Sequence, residues 1–571
     1  MKTTGREGGY AFALKVALPL EPLGGWGLCR LLSLVKWRRN IQRPEVTDVD
    51  KRLQPLPIGV QSFEMLRRDG FVYVDKTARL QELIQNVRRC FLSRPRRFGK
   101  SLTLSTLDAM FRGKVELFKG LAAEGWVAEQ AEHPAPVLSL SMARGRLAED
   151  IRGFDISLYN DLMVLGHRCG LPMLRKDTEG ALGALKDVLE GLYDSGGPLV
   201  VLVDEYDKPI LDNIGNLERA EAFRGYLRNL YLTLKDYDSH LRFVMLTGIS
   251  RFSKMGLFSA MNNLNDISMD EQFGDLAGYT QAELVDSFPE WILAAAGKMN
   301  VAQPELLEQM KAYYDGFCFD GTTRLYNPFS IMQCLQKAKF GNYWYTSGSP
   351  SFIVRYMRNH GIEDPEAYRH RVVSADFADS QEIERAKPES FLFQSGYLTI
   401  ESWEGQALTL DYPNREVLDS LSRMYLENVY CVEGYVSIGT ELWKALRNGD
   451  IEGAVRLYNT ALAGIPYQDF TRRDESLYRS LFLMLLRGAG VTAGGEIPTN
   501  RGRSDVVALF RDRVVVLEFK LARSAGEVAR LRGEGEKQIE EKGYAKPYDA
   551  EGRAVTARVI VVDAKKHEAG L

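Results

Sequence analysis

Two hydrophobic rhythms alternate along this chain. Residues 90–93 are a short apolar run that predicts a strand; after Arg94-Pro95-Arg96-Arg97-Phe98-Gly99, Lys100 and Ser101 open a new pattern. Leu102, Leu104, Leu107, Met110 and Phe111 then recur at helical spacing. Residues 199–203 and 241–250 form two further apolar runs, of the kind expected for parallel strands covered by helices on both faces. The segment between them, 220–237, reads as an amphipathic helix, and strand–helix–strand in this order predicts a parallel α/β sheet.

From about residue 271 to 366 the pattern turns helical, with aromatic loops such as "YYDGFCFDGTTRLYNPF". Residues 391–417 predict short strands, a helix follows from Leu418, and Gly449-Asp450 opens another. The last hundred residues predict helix, strands, helix and a final strand, "ARVIVVD". Two of those strands, 506–510 and 514–520, flank the polar turn Arg511-Asp512-Arg513 and predict a hairpin. No internal repeat or low-complexity tract interrupts this order.

Composition narrows the class. A chain of 571 residues exceeds one core and predicts three or four domains. Its 45% hydrophobic and 26% charged residues are those of an ordinary globular protein. A net charge of −3 supplies no global positive field, so a nucleic-acid partner requires a local basic patch. Cys29, Cys90, Cys169, Cys318, Cys334 and Cys431 contain no CxxC pair, which argues against a zinc site or disulfide framework and fits a reducing cytoplasm. Residues 11–35 are apolar-rich, but Lys15, Pro19, Glu21, Pro22 and Arg30 break them below bilayer length, so no membrane association is expected.

The first candidate chemistry is phosphate binding. Strand, tight loop and helix at Gly99-Lys100-Ser101 would aim backbone N–H groups, an ammonium and a hydroxyl at an anion and its magnesium ion. Arg94 stands where a first glycine is usual, and Arg97 completes the candidate nucleotide-binding loop. Asp204 and Glu205 close one apolar run, where the Asp can hold magnesium and the Glu can polarise water. Thr247 ends the next run as a candidate water-orienting residue, and Arg251 is a candidate contact for phosphate charge. A solvated strand end is the bland reading of each acidic pair taken alone.

The second is phosphodiester chemistry. Glu518 and Lys520 are two apart on a strand and share a face, and the hairpin brings Asp505 to the same end, opposite one or the other depending on register. Two carboxylates can bind Mg2+ or Mn2+, with the lysine positioning water or stabilising developing charge. Glu475, at the start of a helix, is a candidate further metal ligand, and Gln538 a supporting residue. Arg501, Arg503, Arg511, Arg513, Arg523, Arg530 and Arg532 give the region a basic character suited to a polyanion. The bland alternative is a surface hairpin with a weak Glu–Lys pair; the run of four apolar residues before Glu518 argues for a buried strand instead.

The strings "LSRPRRFGKSLTL", "VVLVDEYDKPI" and "TGISRFSKMGLFSAMNNLNDIS" together resemble the prokaryotic AAA-ATPase-like family, whose loop also carries arginine in place of the first glycine. "GRSDVVAL", "VVVLEFKLA" and "QIEEKGYAKPY" are similar to the PD-(D/E)XK nuclease-superfamily domain, here with Ser504 before Asp505 in place of proline. The resemblance spans about residues 53–565. It implies an α/β protein: a P-loop parallel-sheet ATPase domain (53–275), a mainly helical, winged-type middle region (276–455) and a C-terminal α/β restriction-endonuclease-like domain (456–571), behind an unassigned extension (1–52). It implies ATP and Mg2+ or Mn2+ as cofactors, and nucleic acid, DNA above RNA, as partner. Self-association is compatible with it. The expectation is a cytoplasmic P-loop ATPase with a metal-dependent nuclease, in mobile-DNA or phage defence. A nucleotide-gated nucleic-acid-binding module without cleavage is the rival.

Overall fold

The structure is a computed structural model that describes residues 53–143, 150–172, 180–251, 263–346, 353–354, 356–357, 364–378, 387–465, 474–499, 502–549 and 552–571. The extension, the 252–262 part of the third family-like string and Arg501 lie outside the described residues.

Five strands, β1 (Arg89–Ser93), β2 (Val137–Ser141), β3 (Leu199–Asp204), β4 (Leu241–Gly248) and β5 (Asn265–Asp266), form a parallel sheet in the order β2-β3-β4-β1-β5. The continuous apolar runs sit at its centre: all of β1 and the first five residues of β3 are buried. Helix α1 (Lys100–Phe111) starts directly after Gly99, whose φ of 96° is a left-handed turn conformation that glycine adopts without strain. The helix packs on β3. The carboxyl ends of β1, β3 and β4 therefore meet the amino end of α1, where open α/β sheets bind ligands. Between β3 and β4 runs α2 (Leu217–Asp236), the amphipathic helix expected there, N-capped by Asn216.

The middle region contains helices, among them α3 (Pro328–Lys337), and a three-stranded antiparallel sheet ordered β6-β8-β7, from β6 (Arg371–Ser374), β7 (Thr399–Glu404) and β8 (Ala407–Asp411). One expectation fails here. The segment read as strand from residue 391 begins as a helix, Pro388–Ser395, and the extended pieces within 391–417 are Thr399–Glu404 and Ala407–Asp411. Pro388 in the first turn and Gly396 in a left-handed C-cap bound that helix, a start and stop pair that outweighs the aromatic β-preference of "FLF".

Helix α4 (Arg415–Met424) then packs on α5 (Glu475–Gly488), and α5 packs on the second sheet. That sheet runs β13-β12-β11-β10-β9, from β9 (Thr492–Thr499), β10 (Gly502–Leu509), β11 (Arg513–Ala522), β12 (Ala554–Asp563) and β13 (Glu568–Gly570). β10 and β11 form the expected antiparallel hairpin, with Val506 opposite Leu517 and Leu509 opposite Val514. β11 and β12 are parallel, joined through α6 (Val528–Lys542). One principal hydrophobic core continues from β1, β3 and β4 through the middle region to α5, β10 and β11. The described cysteines are all free.

Candidate active sites: a phosphate cavity and a carboxylate–lysine cluster

A cavity of about 660 Å3 opens at the carboxyl end of the parallel sheet, lined by Arg96, Arg97, Gly99, Lys100, Ser101, Asp204 and Glu205, with apolar walls from Val60, Val72, Tyr279 and Phe329. The ammonium of Lys100 donates to the carbonyls of Arg94 (2.7 Å) and Pro95 (2.9 Å), so the loop curls around its own lysine. Burial pushes the Lys100 ammonium down to about 8, against the opposing pull of Asp204, Asp207 and Glu205. Ser101 Oγ donates to Asp204 Oδ2 at 2.6 Å, and Thr247 Oγ1 to Asp204 Oδ1 at 2.8 Å. Three elements thus converge on one carboxylate. A hydroxyl and a carboxylate in contact at a helix N-terminus are suitable donors for a nucleotide-bound magnesium ion.

Glu205 takes a left-handed backbone, φ 51°, uncommon for a residue with a side chain and a mark of local strain. Its Oε2 is buried without a hydrogen-bond partner, and burial together with the like charge of Asp204 raises its pKa. A carboxylate so placed is a competent base for a water molecule in the cavity.

One expected residue stands elsewhere. Arg251 is buried and bound to Asp266, with Nε 2.8 Å from the carboxylate, while its backbone N–H donates to Gln394. It braces β4 against β5 instead of facing the cavity. Arg94, in the position of the missing glycine, is also buried, donating to the carbonyls of Ser93 (2.9 Å) and Ser268 (2.7 Å) and lying over the Phe319 ring. The arginine is a structural bracket for the loop. Arg97, by contrast, is exposed at the cavity rim over the Phe329 ring.

The sequence reading passed over Asp207. This buried carboxylate accepts from the backbone N–H of Ile249 (3.1 Å) and Ser250 (2.6 Å) and from Ser250 Oγ (2.6 Å), tying the end of β3 to the end of β4. The close approach requires Gly248: a Cβ there would meet the Tyr206 ring at 2.4 Å and Asp207 at 2.7 Å.

At the second site, Lys520 Nζ donates to Glu518 Oε1 at 2.6 Å. Asp505 Oδ2 accepts from the backbone N–H of Phe519 at 2.8 Å, between those two residues, as the hairpin register requires. From α5, Glu475 Oε2 accepts from the Leu521 N–H (3.2 Å) and Arg479 Nη1 donates to Asp505 Oδ1 (3.2 Å). Glu518 is buried and its Oε2 has no hydrogen-bond partner. Burial, then the Asp505 charge, pushes its carboxyl up to about 7. Burial works against the Lys520 ammonium, but Glu518, Glu475 and Asp505 outweigh it and raise its pKa. An orphaned carboxylate oxygen inside an all-oxygen anionic cluster fits a hard divalent cation.

Asp505 and Glu518 are the direct candidates to hold that cation; Glu475 stands at the edge. Oxygens of all three do not gather within 4.8 Å of one another, whereas among the described residues His370, Glu401 and Asp411 do. Those last three form an ion-pair network in which Asp411 is gripped by both Arg369 Nε and Nη2 at 3.1 Å. Gln538 Nε2 donates to Tyr544 Oη (3.1 Å), just beyond the end of α6. Arg530 is spent on Glu534, and Arg513 on Thr556.

Residues 57–258 match the family described as Predicted AAA-ATPase, and residues 473–569 match the PD-(D/E)XK nuclease superfamily. An uncharacterized protein encoded in the vnfD 5' region of Azotobacter chroococcum mcd 1 is 35% identical over 522 residues, covering 88% of this chain and 95% of that protein. The chain belongs to this AAA-ATPase-like family. Among solved structures, the ORC2 protein of Aeropyrum pernix (ADPNP–ADP complexes) aligns at 13% identity and a TM-score of 0.28, over 73% of this chain and 85% of its own. The ORC1 protein of the same organism, in complex with DNA, aligns at 10% identity and 0.23, over 61% and 92%. Scores this low carry no argument. In this AAA-ATPase-like chain, both family matches enclose their candidate site: Lys100, Ser101, Asp204 and Glu205 in one, Glu475, Asp505, Glu518 and Lys520 in the other. Among the described residues no helix is long and apolar enough to cross a membrane.

Proposed function

We propose that this protein is an ATP-hydrolysing, metal-dependent nuclease in which the nucleotide site governs the cutting site. The observation that carries the nuclease reading is the convergence of Asp505, Glu518 and Lys520 at one end of a buried hairpin, with a carboxylate oxygen of Glu518 left unsatisfied. A divalent cation held by Asp505 and Glu518 would supply an activated water and charge neutralisation at a phosphodiester. Lys520 orients that water and neutralises the negative charge developing on the phosphate; Glu518 keeps its ammonium in place. At the nucleotide site Lys100 and the loop backbone cradle phosphates, Asp204 and Ser101 face the accompanying cation, and Glu205 removes a proton from the attacking water.

Coupling has a physical route. The carbonyl of Arg96, in the phosphate loop, accepts from Trp344 Nε1 (3.2 Å), and the Trp344 backbone N–H donates to Glu416 Oε1 on α4 (2.7 Å). From α4, Arg415 and Arg423 donate to the carbonyls of Gly490 (2.6 Å) and Gly488 (3.2 Å), at the far end of the helix that carries Glu475 and Arg479. A loop that opens around phosphates pulls on this chain of bonds. The test is cleavage of linear, branched and single-stranded DNA and of RNA in Mg2+, with and without ATP. Cleavage that responds to ATP in the parent but not in Trp344→Phe is expected. Tight nucleic-acid binding with no cutting on any substrate would instead favour a nucleotide-gated binding module.

A further inference from the structure

Arg479 belongs to the C-terminal cluster, yet neither the hairpin pattern nor the family-like strings single it out. It sits one helical turn after Glu475 on α5, so both side chains face the sheet end that carries Asp505. Its Nη1 lies 3.2 Å from Asp505 Oδ1, and both side chains are about nine-tenths buried (11% and 14% exposed). The other oxygen of Asp505 is committed to the Phe519 N–H. The guanidinium stands on Oδ1, so a cation that binds this oxygen meets the arginine there.

Resting on the nuclease reading above, we propose that Arg479 and the divalent cation compete for Asp505 Oδ1, and that the displaced guanidinium becomes a phosphate contact for the nucleic-acid substrate. Charge at the cluster supports this division of labour. Glu475, Asp505 and Glu518 face Lys520 and Arg479, and Lys520 is occupied by Glu518 at 2.6 Å. A cation arriving at Asp505 adds positive charge beside Arg479 and drives the guanidinium off by like-charge repulsion. A planar fork of donors is well matched to a phosphate, where it can make paired hydrogen bonds that an ammonium cannot. Glu366 and Asp364 also lie in the electrostatic reach of Arg479. They supply the anionic surroundings that keep an arginine charged at this depth.

The prediction has two opposite signs, which a merely structural arginine cannot produce. Mn2+ is titrated into the full-length chain without nucleotide, and the binding lost in Asp505→Asn defines the site. Arg479→Gln is expected to bind Mn2+ there about threefold or more tighter, because a competing charge is gone. The same variant is expected to show a KM for nucleic acid raised about tenfold, because a phosphate contact is gone. Arg479→Lys restores the parent's Mn2+ affinity and part of the KM. Weaker Mn2+ binding in Arg479→Gln at an unchanged melting temperature, or parent-like values of both quantities, would overturn the proposal while leaving the nuclease reading standing. Failure of the parent to bind Mn2+ in an Asp505-dependent way would overturn both. Should Arg479→Gln melt early, Arg479→Lys decides alone: it keeps the charge but loses the fork, so Mn2+ affinity at parent level with a raised KM supports the role, and a parent-like KM refutes it.

Discussion

The two sites each hold a lysine, buried at Lys100 and partly buried at Lys520, and the two are handled in opposite ways. Lys100 is neutralised by carbonyl dipoles of its own loop, and burial lowers its pKa; Lys520 is neutralised by a carboxylate two residues away, and its pKa is raised. The hydrogen bonds of Lys100 go to carbonyls, which an ammonium exchanges readily for phosphate oxygens, and on the proposed reading an incoming anion recruits it. An ammonium tied to Glu518 stays put, and the cluster around it carries excess negative charge that calls for a cation first. On the proposed reading, one site is prepared for the phosphate and the other for the metal.

The sharpest way to break this comparison is to remove the base from the nucleotide site. Glu205→Gln is expected to keep ATP affinity near the parent's and lose about a hundredfold or more in phosphate release, measured with labelled ATP. Lys100→Ala should lose binding itself. Equal loss of binding in both variants would mean that Glu205 holds the site together and does not act on water.

Next in size is the clamp between β3 and β4. Asp207→Ala leaves three donors from Ile249 and Ser250 without their acceptor, and is expected to cost about 3 kcal/mol by chemical denaturation. Its effect on phosphate release should follow from that loss of order. Unchanged stability would show that the two strand ends are held by packing alone.

Much of this was legible beforehand. The strands at 90–93, 199–203 and 241–250 and the hairpin at 506–520 declared themselves because buried strands need unbroken apolar runs, and the chemistry at their ends is local. What could not be read is tertiary. Asp207 looks like one more polar residue in "DEYDKPI", and only the fold brings the Ile249 and Ser250 amides to it. Arg251 has the spacing of a phosphate contact, yet Asp266, fifteen residues on, claims it. Arg479 carries a faint signal, since it lies four residues after Glu475 and so shares its helix face. Gln538 lies on the expected helix, and only the fold shows that it bonds to Tyr544.

A pH-dependent effect separates the middle region from both sites. Glu416 is fully buried, and burial pushes its carboxyl up to about 8 from an ordinary value of 4.5. The unfolded chain releases this proton earlier than the folded one, so stability falls as pH rises from about 4.5 to about 8 and is flat outside that window. Thermal melts should show Glu416→Gln gaining on the parent steadily across that range, with little difference at pH 4. A constant difference at all pH values would place the charge elsewhere.

The central claim is that Asp505, Glu518 and Lys520 form a metal-dependent cutting site. Its most direct test is nucleic-acid cleavage in Mg2+ or Mn2+ by the full-length parent, Asp505→Asn and Lys520→Ala, with EDTA controls and melting temperatures for all three. The expected result is cleavage by the parent that EDTA abolishes, and a loss of about a thousandfold in both variants at parent-like stability. Cleavage that survives Asp505→Asn and Lys520→Ala, or a parent inert on every substrate with and without ATP, would contradict it.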